Sequence, residues 1–189
     1  LAQKLDEHKA QAGSAVFLNQ HESGSFPAFI DMWLSAFGMR SHLSVDFEAD
    51  HLAIEAHRQA YGAAWPAFDF GRARVIVSFG ADFLDGWGSS VSHQLAFADA
   101  RATLSDAPRL IYVGPRRSLT GLNADQWIAC KPGGELAIVN FLQGRSDAKA
   151  AARSSGVEAA TLERLARAIA SAKPSLLLAG ARGDNGLEV

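Results

Sequence analysis

The run Val75-Ile76-Val77-Ser78-Phe79, followed by the turn Gly80-Ala81-Asp82-Phe83, decides the fold of this chain. A second apolar run, Leu110-Ile111-Tyr112-Val113, begins about thirty residues later, and the segment between the two runs has helical periodicity. This arrangement predicts two buried parallel strands joined by a crossover helix. Ligands of open parallel sheets bind beyond the carboxyl ends of the strands. We therefore expect any binding site in the loops at residues 80–85 and 114–118.

The composition of the chain excludes several classes of protein. It has 18 basic and 20 acidic residues, and no run of lysines and arginines is long enough to follow a phosphate backbone, so we expect no nucleic-acid partner. The single cysteine, Cys130, permits neither an internal disulfide nor an iron–sulfur cluster held by this chain alone, and its apolar neighbours predict a core position. No apolar stretch approaches the roughly 18 residues of a membrane helix, which predicts no direct membrane insertion.

Strands and helices are predicted to alternate along the rest of the chain. Besides the two central runs, strands are predicted at 14–18, 41–47, 126–130 and 175–179, and helices at 1–12, 27–37, 50–61, 89–104, 136–141 and 157–173. This pattern predicts one α/β domain over residues 1–189, with a doubly wound, mostly parallel, Rossmann-like sheet of about five to six strands. The chain starts without methionine, and no helix follows the last strand. We therefore expect the domain to be part of a longer, multidomain polypeptide.

Neither a metal centre nor a catalytic residue is predicted. His51 and His57 share a predicted helix, but they are six residues apart and lie on nearly opposite faces, unlike the i, i+4 pair of a helical metal site. The chain also has no Gly-x-Ser-x-Gly, no phosphate-binding lysine loop and no dinucleotide glycine fingerprint. What remains are three loops that follow predicted strands.

The first loop, Gly80-Ala81-Asp82, combines small residues, which let a ligand approach the backbone, with a carboxylate. Asp82 can accept paired hydrogen bonds from a donor edge such as that of guanine. Alternatively, Asp82 and Asp85 cap the helix that follows. The sequence leaves both interpretations open.

The other two loops follow the next two strands. In Gly114-Pro115-Arg116-Arg117-Ser118, an arginine fork can hold a phosphate, or the arginines are simply solvated. In Pro132-Gly133-Gly134-Glu135, a turn frees backbone amides at the start of a helix, where anions bind. The alternative there is that Glu135 only complements the helix dipole.

These loops, in this order, resemble the molybdopterin-dependent oxidoreductases of the dimethyl sulfoxide reductase family. That family has a strand ending in Gly-x-Asn-Pro, then one ending in Asp-Pro-Arg, then an Ala-Asp pair before a Pro-Gly-Thr-Asp turn. The matching positions here are Gly80-Ala81-Asp82-Phe83, Gly114-Pro115-Arg116, Ala124-Asp125 and Pro132-Gly133-Gly134-Glu135. The match runs in register over about residues 68–143.

The resemblance implies a role in cofactor binding. In the family, such a domain contributes to binding the guanosine diphosphate part of molybdopterin guanine dinucleotide, the molybdenum cofactor. Asp82 and Glu135 would contact guanine or ribose, and Arg116 would contact a phosphate or stack on the base. The full set of predicted cofactor-binding residues is Gly80, Ala81, Asp82, Gly114, Pro115, Arg116, Pro132, Gly133, Gly134 and Glu135.

Three departures from the family pattern favour a second hypothesis. Asp82 replaces an asparagine, Phe83 a proline, and Gly114 an acidic residue. Residues 82–87 and 117–121 look closer to the large subunit of membrane-bound, quinone-oxidising complexes of the alternative complex III type, in which the pterin cofactor can be absent. On this hypothesis the chain is a cofactor-free structural and interaction domain.

The resemblance also implies the setting of the domain. Its partners would be the other domains of the same chain and membrane-anchored respiratory subunits, at the periplasmic face of the cytoplasmic membrane. Electron transfer would be the chemistry of the parent protein, with any iron–sulfur clusters outside this chain. We expect the isolated domain to be inactive.

Overall fold

The computed structural model describes residues 3, 4, 7, 16–20, 24–45, 50–62, 65–102 and 107–180. Its elements in chain order are β1 (Leu18–Gln20), α1 (Phe26–Ala36), β2 (Leu43–Val45), α2 (Asp50–Tyr61), β3 (Val75–Phe79), α3 (Ser90–Arg101), β4 (Arg109–Gly114), α4 (Leu119–Leu122), β5 (Gln126–Ala129), α5 (Gly134–Leu142), α6 (Ala148–Ser155), α7 (Ala159–Ser171) and β6 (Ser175–Ala179). The helix predicted for residues 1–12 and the start of the strand predicted for 14–18 lie largely outside the described residues.

Internal contacts divide the chain into two compact units, Leu1–Phe47 and Glu48–Val189. In the first unit, β1 and β2 form a parallel two-stranded sheet in which Leu18 lies beside Leu43. Helix α1 has a proline in its first turn, where a missing N–H costs nothing, and it buries Leu34.

The second unit contains a parallel four-stranded sheet with the order β5-β4-β3-β6. Val77 at the centre of β3 lies between Ile111 of β4 and Leu177 of β6. The predicted α/β class, the Rossmann-like alternation and the parallel pairing of the two central runs are confirmed. The predicted strands are divided between this sheet and the two-stranded sheet, since β1 and β2 pair with each other.

Helices cover both faces of the four-stranded sheet. Val75 and Val77 point to one face, where they pack with Leu162 of α7. Ile76 points to the other face and packs with Phe97 of α3. Such alternation follows from the period of two in a strand, and each fully buried aliphatic side chain contributes roughly 1.5–3 kcal/mol to folding. The sheet is therefore doubly wound.

The strand order reverses between β3 and β6. From β3 the chain runs outward to β4 and β5, and it then returns to place β6 on the opposite side of β3. Gly180, just beyond β6, donates its N–H to the Phe79 carbonyl at 2.9 Å. A Cβ at Gly180 would lie 2.5 Å from the Ala81 Cα, so only glycine fits this close approach of two backbones. The switch point is thus a tightly packed junction.

Candidate functional site

The carboxyl ends of the four strands lie along one edge of the sheet, because all the strand pairs of this unit are parallel. Phe79 at the end of β3 lies beside Val113 of β4 and Ala179 of β6. The three loops that the sequence singles out follow β3, β4 and β5, so they share this edge. The side chains of the loops decide what the edge can bind.

In the first loop, the Asp82 carboxylate bonds to another part of the protein. Gly80 turns the chain with a φ of +69°, which suits glycine, and its N–H donates to the Val113 carbonyl. Asp82 is only 3% exposed, and its Oδ1 accepts the Thr120 N–H at 2.8 Å. The Thr120 Oγ1 accepts the Leu84 N–H at 3.0 Å. These bonds tie the first loop to α4, which follows the second loop.

The aromatic residues of the first loop lie in the core. Phe83 is 0% exposed, and its ring centroid lies 5.1 Å from that of Phe70 and 5.4 Å from that of Phe97. Trp87 is 4% exposed and stacks with Phe68 at a centroid distance of 5.7 Å. Burial of these two large rings in the core stabilises the position of the loop. The loop is therefore a packed part of the domain.

Both arginines of the second loop are exposed to solvent, and one of them also lies over an aromatic ring. The Gly114 carbonyl accepts the Trp127 indole N–H at 3.0 Å. The Arg117 guanidinium lies 5.1 Å over the centre of the Trp127 ring, a cation–π contact. Ser118 is the N-cap of α4, and its buried hydroxyl accepts an N–H of the first turn. Arg116 thus supplies an exposed cation at the edge.

In the third loop, the carboxylate faces the interior. Gly133 is the N-cap of α5 and has a φ of +76°, and a Cβ at Gly134 would lie 2.9 Å from the Ser155 Cα. Glu135 is 2% exposed and hydrogen-bonds with the Cys130 thiol, while its Oε2 has no hydrogen-bond partner among the described residues. Burial first, and the Glu135 carboxylate second, raise the pKa of Cys130 to about 12. The predicted core position of Cys130 is confirmed.

The predicted cofactor-binding residues differ widely in exposure. The exposed ones are Pro115, Arg116, Pro132 and Gly133, the half-buried one is Gly80, and the buried ones are Ala81, Asp82, Gly114, Gly134 and Glu135. Both predicted guanine-contacting carboxylates are in the buried group, and one of them already accepts a backbone N–H. A nucleotide approaching the edge would meet the arginine and the exposed backbone first.

A cavity that the sequence analysis missed lies between α2 and the carboxyl ends of β3 and β6. Its volume is about 250 Å³, and its lining includes Ala53 of α2, Phe79 of β3, Ala179 of β6 and Trp87. None of the ten predicted cofactor-binding residues is part of this lining. We call it the switch-point cavity. The sequence contains one indication of this cavity, because alanines recur along α2 at helical spacing. The residues that form the opposite wall depend on the strand order, which the sequence does not give.

The Asp125 carboxylate is held by several hydrogen bonds. Asp125 accepts a bidentate pair of hydrogen bonds from Arg101, both at 2.9 Å, and also the Leu110 N–H at 2.7 Å. The hydrogen bonds from Arg101 hold the pKa of Asp125 below its ordinary value of 3.8.

Among the described residues, histidines, cysteines and carboxylates form no group of three that could hold a metal ion. None of the described helices combines the length and the apolar character needed to cross a membrane.

Comparison with known proteins finds two relatives whose names refer to molybdopterin. No protein-family model matches the chain. It is 24% identical to the menaquinone reductase molybdopterin-binding-like subunit of Nitratidesulfovibrio vulgaris, over 98% of this chain and 30% of that protein. It is 27% identical to the thiosulfate reductase molybdopterin-containing subunit of Salmonella typhimurium, over 74% of this chain and 18% of that protein.

A solved structure supports the fold. The acetylene hydratase from Pelobacter acetylenicus superposes with a TM-score of 0.60 and 16% identity, over 93% of this chain and 29% of that one. The chain therefore spans less than a third of the length of each of these three proteins. The family resemblance inferred from the order of the three loops is confirmed.

Proposed function

Since the chain is similar to the molybdopterin oxidoreductase family, we propose that it is a structural and interaction domain of a redox protein of that kind. In this role the first loop bonds to α4, the edge loops support neighbouring domains of the same polypeptide, and the redox centres belong to other parts of the parent protein. We also propose that the parent protein assembles with membrane-anchored respiratory subunits at the periplasmic face of the cytoplasmic membrane.

One observation carries this proposal: the Asp82 carboxylate accepts the buried N–H of Thr120. Asp82 is only 3% exposed, so a guanine could reach its carboxylate only if the first loop moved away from α4 and the bond to the Thr120 N–H were lost. A buried donor left without an acceptor costs about 1–3 kcal/mol. Phe83, packed in the core beside it, holds the loop in this position. A nucleotide would therefore have to disrupt the domain in order to use Asp82.

A second candidate function is a contribution to binding the guanosine diphosphate part of molybdopterin guanine dinucleotide. The observation that favours it is the Glu135 Oε2, which is buried and has no hydrogen-bond partner in the described part of the chain. Buried carboxylate oxygens are normally hydrogen-bonded, so a guanine donor would satisfy this one. Arg116 at the same edge would pair with a phosphate. This function requires Glu135 to become accessible.

Calorimetric titration of the 189-residue chain with guanosine diphosphate separates the two functions. The structural role predicts no saturable heat at millimolar nucleotide. The cofactor-binding role predicts saturable binding that Arg116→Ala weakens, because the phosphate loses its cation. Arg145→Ala is the matched control, since Arg145 is an exposed arginine that follows α5. Saturable binding that is sensitive to Arg116 and insensitive to Arg145 would overturn the structural proposal.

A further inference from the structure

The switch-point cavity has the size of a small ring ligand. Its volume is about 250 Å³. A cavity of roughly 150 Å³ lined by aliphatic and aromatic side chains can hold benzene, and drug-sized ligands occupy roughly 300 Å³ or more. The cavity therefore suits a compound of one or two fused rings.

The walls of the cavity suit a flat ligand. Ala53, Ala56 and Ala60 recur at intervals of three and four residues along α2, so that they form a strip of small side chains on one face. Phe68 and Trp87 also line the cavity, and their rings are inclined by only 25° to each other. Aromatic rings pack well against such flat aromatic and methyl surfaces.

The described residues that line the cavity offer no positive charge to an anion. Of the described residues that line it, none is a lysine, an arginine or a carboxylate, and the polar ones are His57, Tyr61 and Gln143. An anionic group placed against these walls would lose part of its hydration without gaining a fixed positive charge, which is unfavourable. A phosphate or a carboxylate is thus disfavoured, whereas a hydroxyl or a carbonyl can hydrogen-bond with the polar side chains.

We infer that the switch-point cavity binds an uncharged aromatic compound of one or two rings that carries a single polar substituent. The rings lie between the alanine face of α2 and the ends of β3 and β6, with Trp87 and Phe68 as the aromatic wall. This site is distinct from the ten predicted cofactor-binding residues, none of which lines it, although Trp87 of the first loop forms part of its wall. It also differs in chemistry from a nucleotide site, since it offers no partner for a phosphate.

The test uses 1-naphthol and 1-naphthoate as a neutral and an anionic probe of similar shape, titrated calorimetrically into the whole chain. Ala56→Phe fills the cavity from α2, and Ala179→Leu fills it from β6. Ala160→Phe is the control, because Ala160 is exposed on α7 and does not line the cavity. Circular dichroism establishes that each variant is folded, and Ala179→Leu decides the test if Ala56→Phe does not fold.

We expect saturable binding of 1-naphthol, with binding of 1-naphthoate and binding to either filled variant weaker by about tenfold or more. The Ala160→Phe variant should bind 1-naphthol as the unmodified chain does. The inference is overturned if 1-naphthol does not bind saturably, if the two probes bind equally well, or if folded cavity-filling variants keep the original affinity.

Discussion

Replacing Asp82 with alanine should destabilise the folded chain by about 2 kcal/mol. The substitution removes the acceptor of the Thr120 N–H, which lies 2.8 Å from the Asp82 Oδ1 in a region that excludes water. A hydrogen bond to a charged group contributes about 1.5–3 kcal/mol, and a buried donor left unsatisfied costs about the same. Both estimates describe the same lost bond and are not added. The predicted loss of stability follows from this hydrogen bond alone and does not require a ligand at Asp82.

The matched variant is Asp82→Asn, which keeps an oxygen acceptor of the same reach and loses only the charge. Neutral hydrogen bonds contribute about 0.5–1.5 kcal/mol, so this variant should lose about half as much stability or less. Urea denaturation followed by tryptophan fluorescence measures both unfolding free energies. The reasoning is refuted if Asp82→Ala changes the unfolding free energy by less than about 0.5 kcal/mol, the usual range for a surface substitution. It is also refuted if both variants lose the same amount.

Three other substitutions have defined outcomes. Gly180→Ala should lower the unfolding free energy by about 1–3 kcal/mol in urea denaturation, because its methyl group overlaps the neighbouring backbone. Gly71→Ala should be nearly neutral, because its methyl group would meet only the Asp69 Oδ1 at an ordinary contact distance of 3.7 Å. Glu135→Gln should increase the alkylation rate of Cys130 at mildly alkaline pH, because the lost carboxylate no longer raises the thiol pKa; an unchanged rate would contradict this. Asp125→Asn should lower the unfolding free energy by about 0.5–1 kcal/mol at neutral pH and leave it unchanged in acid. The pKa of Asp125 is lowered in the folded state, so its stabilising effect exists above about pH 4 and is lost as the pH falls through that pKa. Denaturation at several pH values would check this.

The sequence predicted the centre of the fold because its strands carry a strong local signal. Val75–Phe79 is apolar throughout, which predicts a strand buried on both faces, and the structure buries all five residues. The late strand at Ser175–Ala179 was recognised from its leucine run, and the amphipathic helix before it from its spacing. In each case, burial follows from residues that are close in sequence.

The sequence could not predict features that depend on distant partners. β1 and β2 have three residues each, too few for a pattern to identify their sheet, and they pair with each other. The bond between Asp82 and Thr120 joins residues 38 positions apart, so an analysis of local spacing had no access to it. The switch-point cavity requires β6 to lie beside β3, which is a property of strand order. The loops were found from the sequence, whereas the directions of their side chains were not.

Residue-resolved NMR with guanosine diphosphate tests the central claim, that the first loop bonds to α4 through Asp82 and Thr120 and the edge binds no nucleotide. The amide signals of Gly80, Asp82, Thr120 and Glu135 report on the loops directly. Our account predicts that these signals keep their positions at millimolar nucleotide, with the Thr120 amide protected from exchange by its bond to Asp82. Saturable shifts of these amides, together with loss of the protection at Thr120, would contradict it.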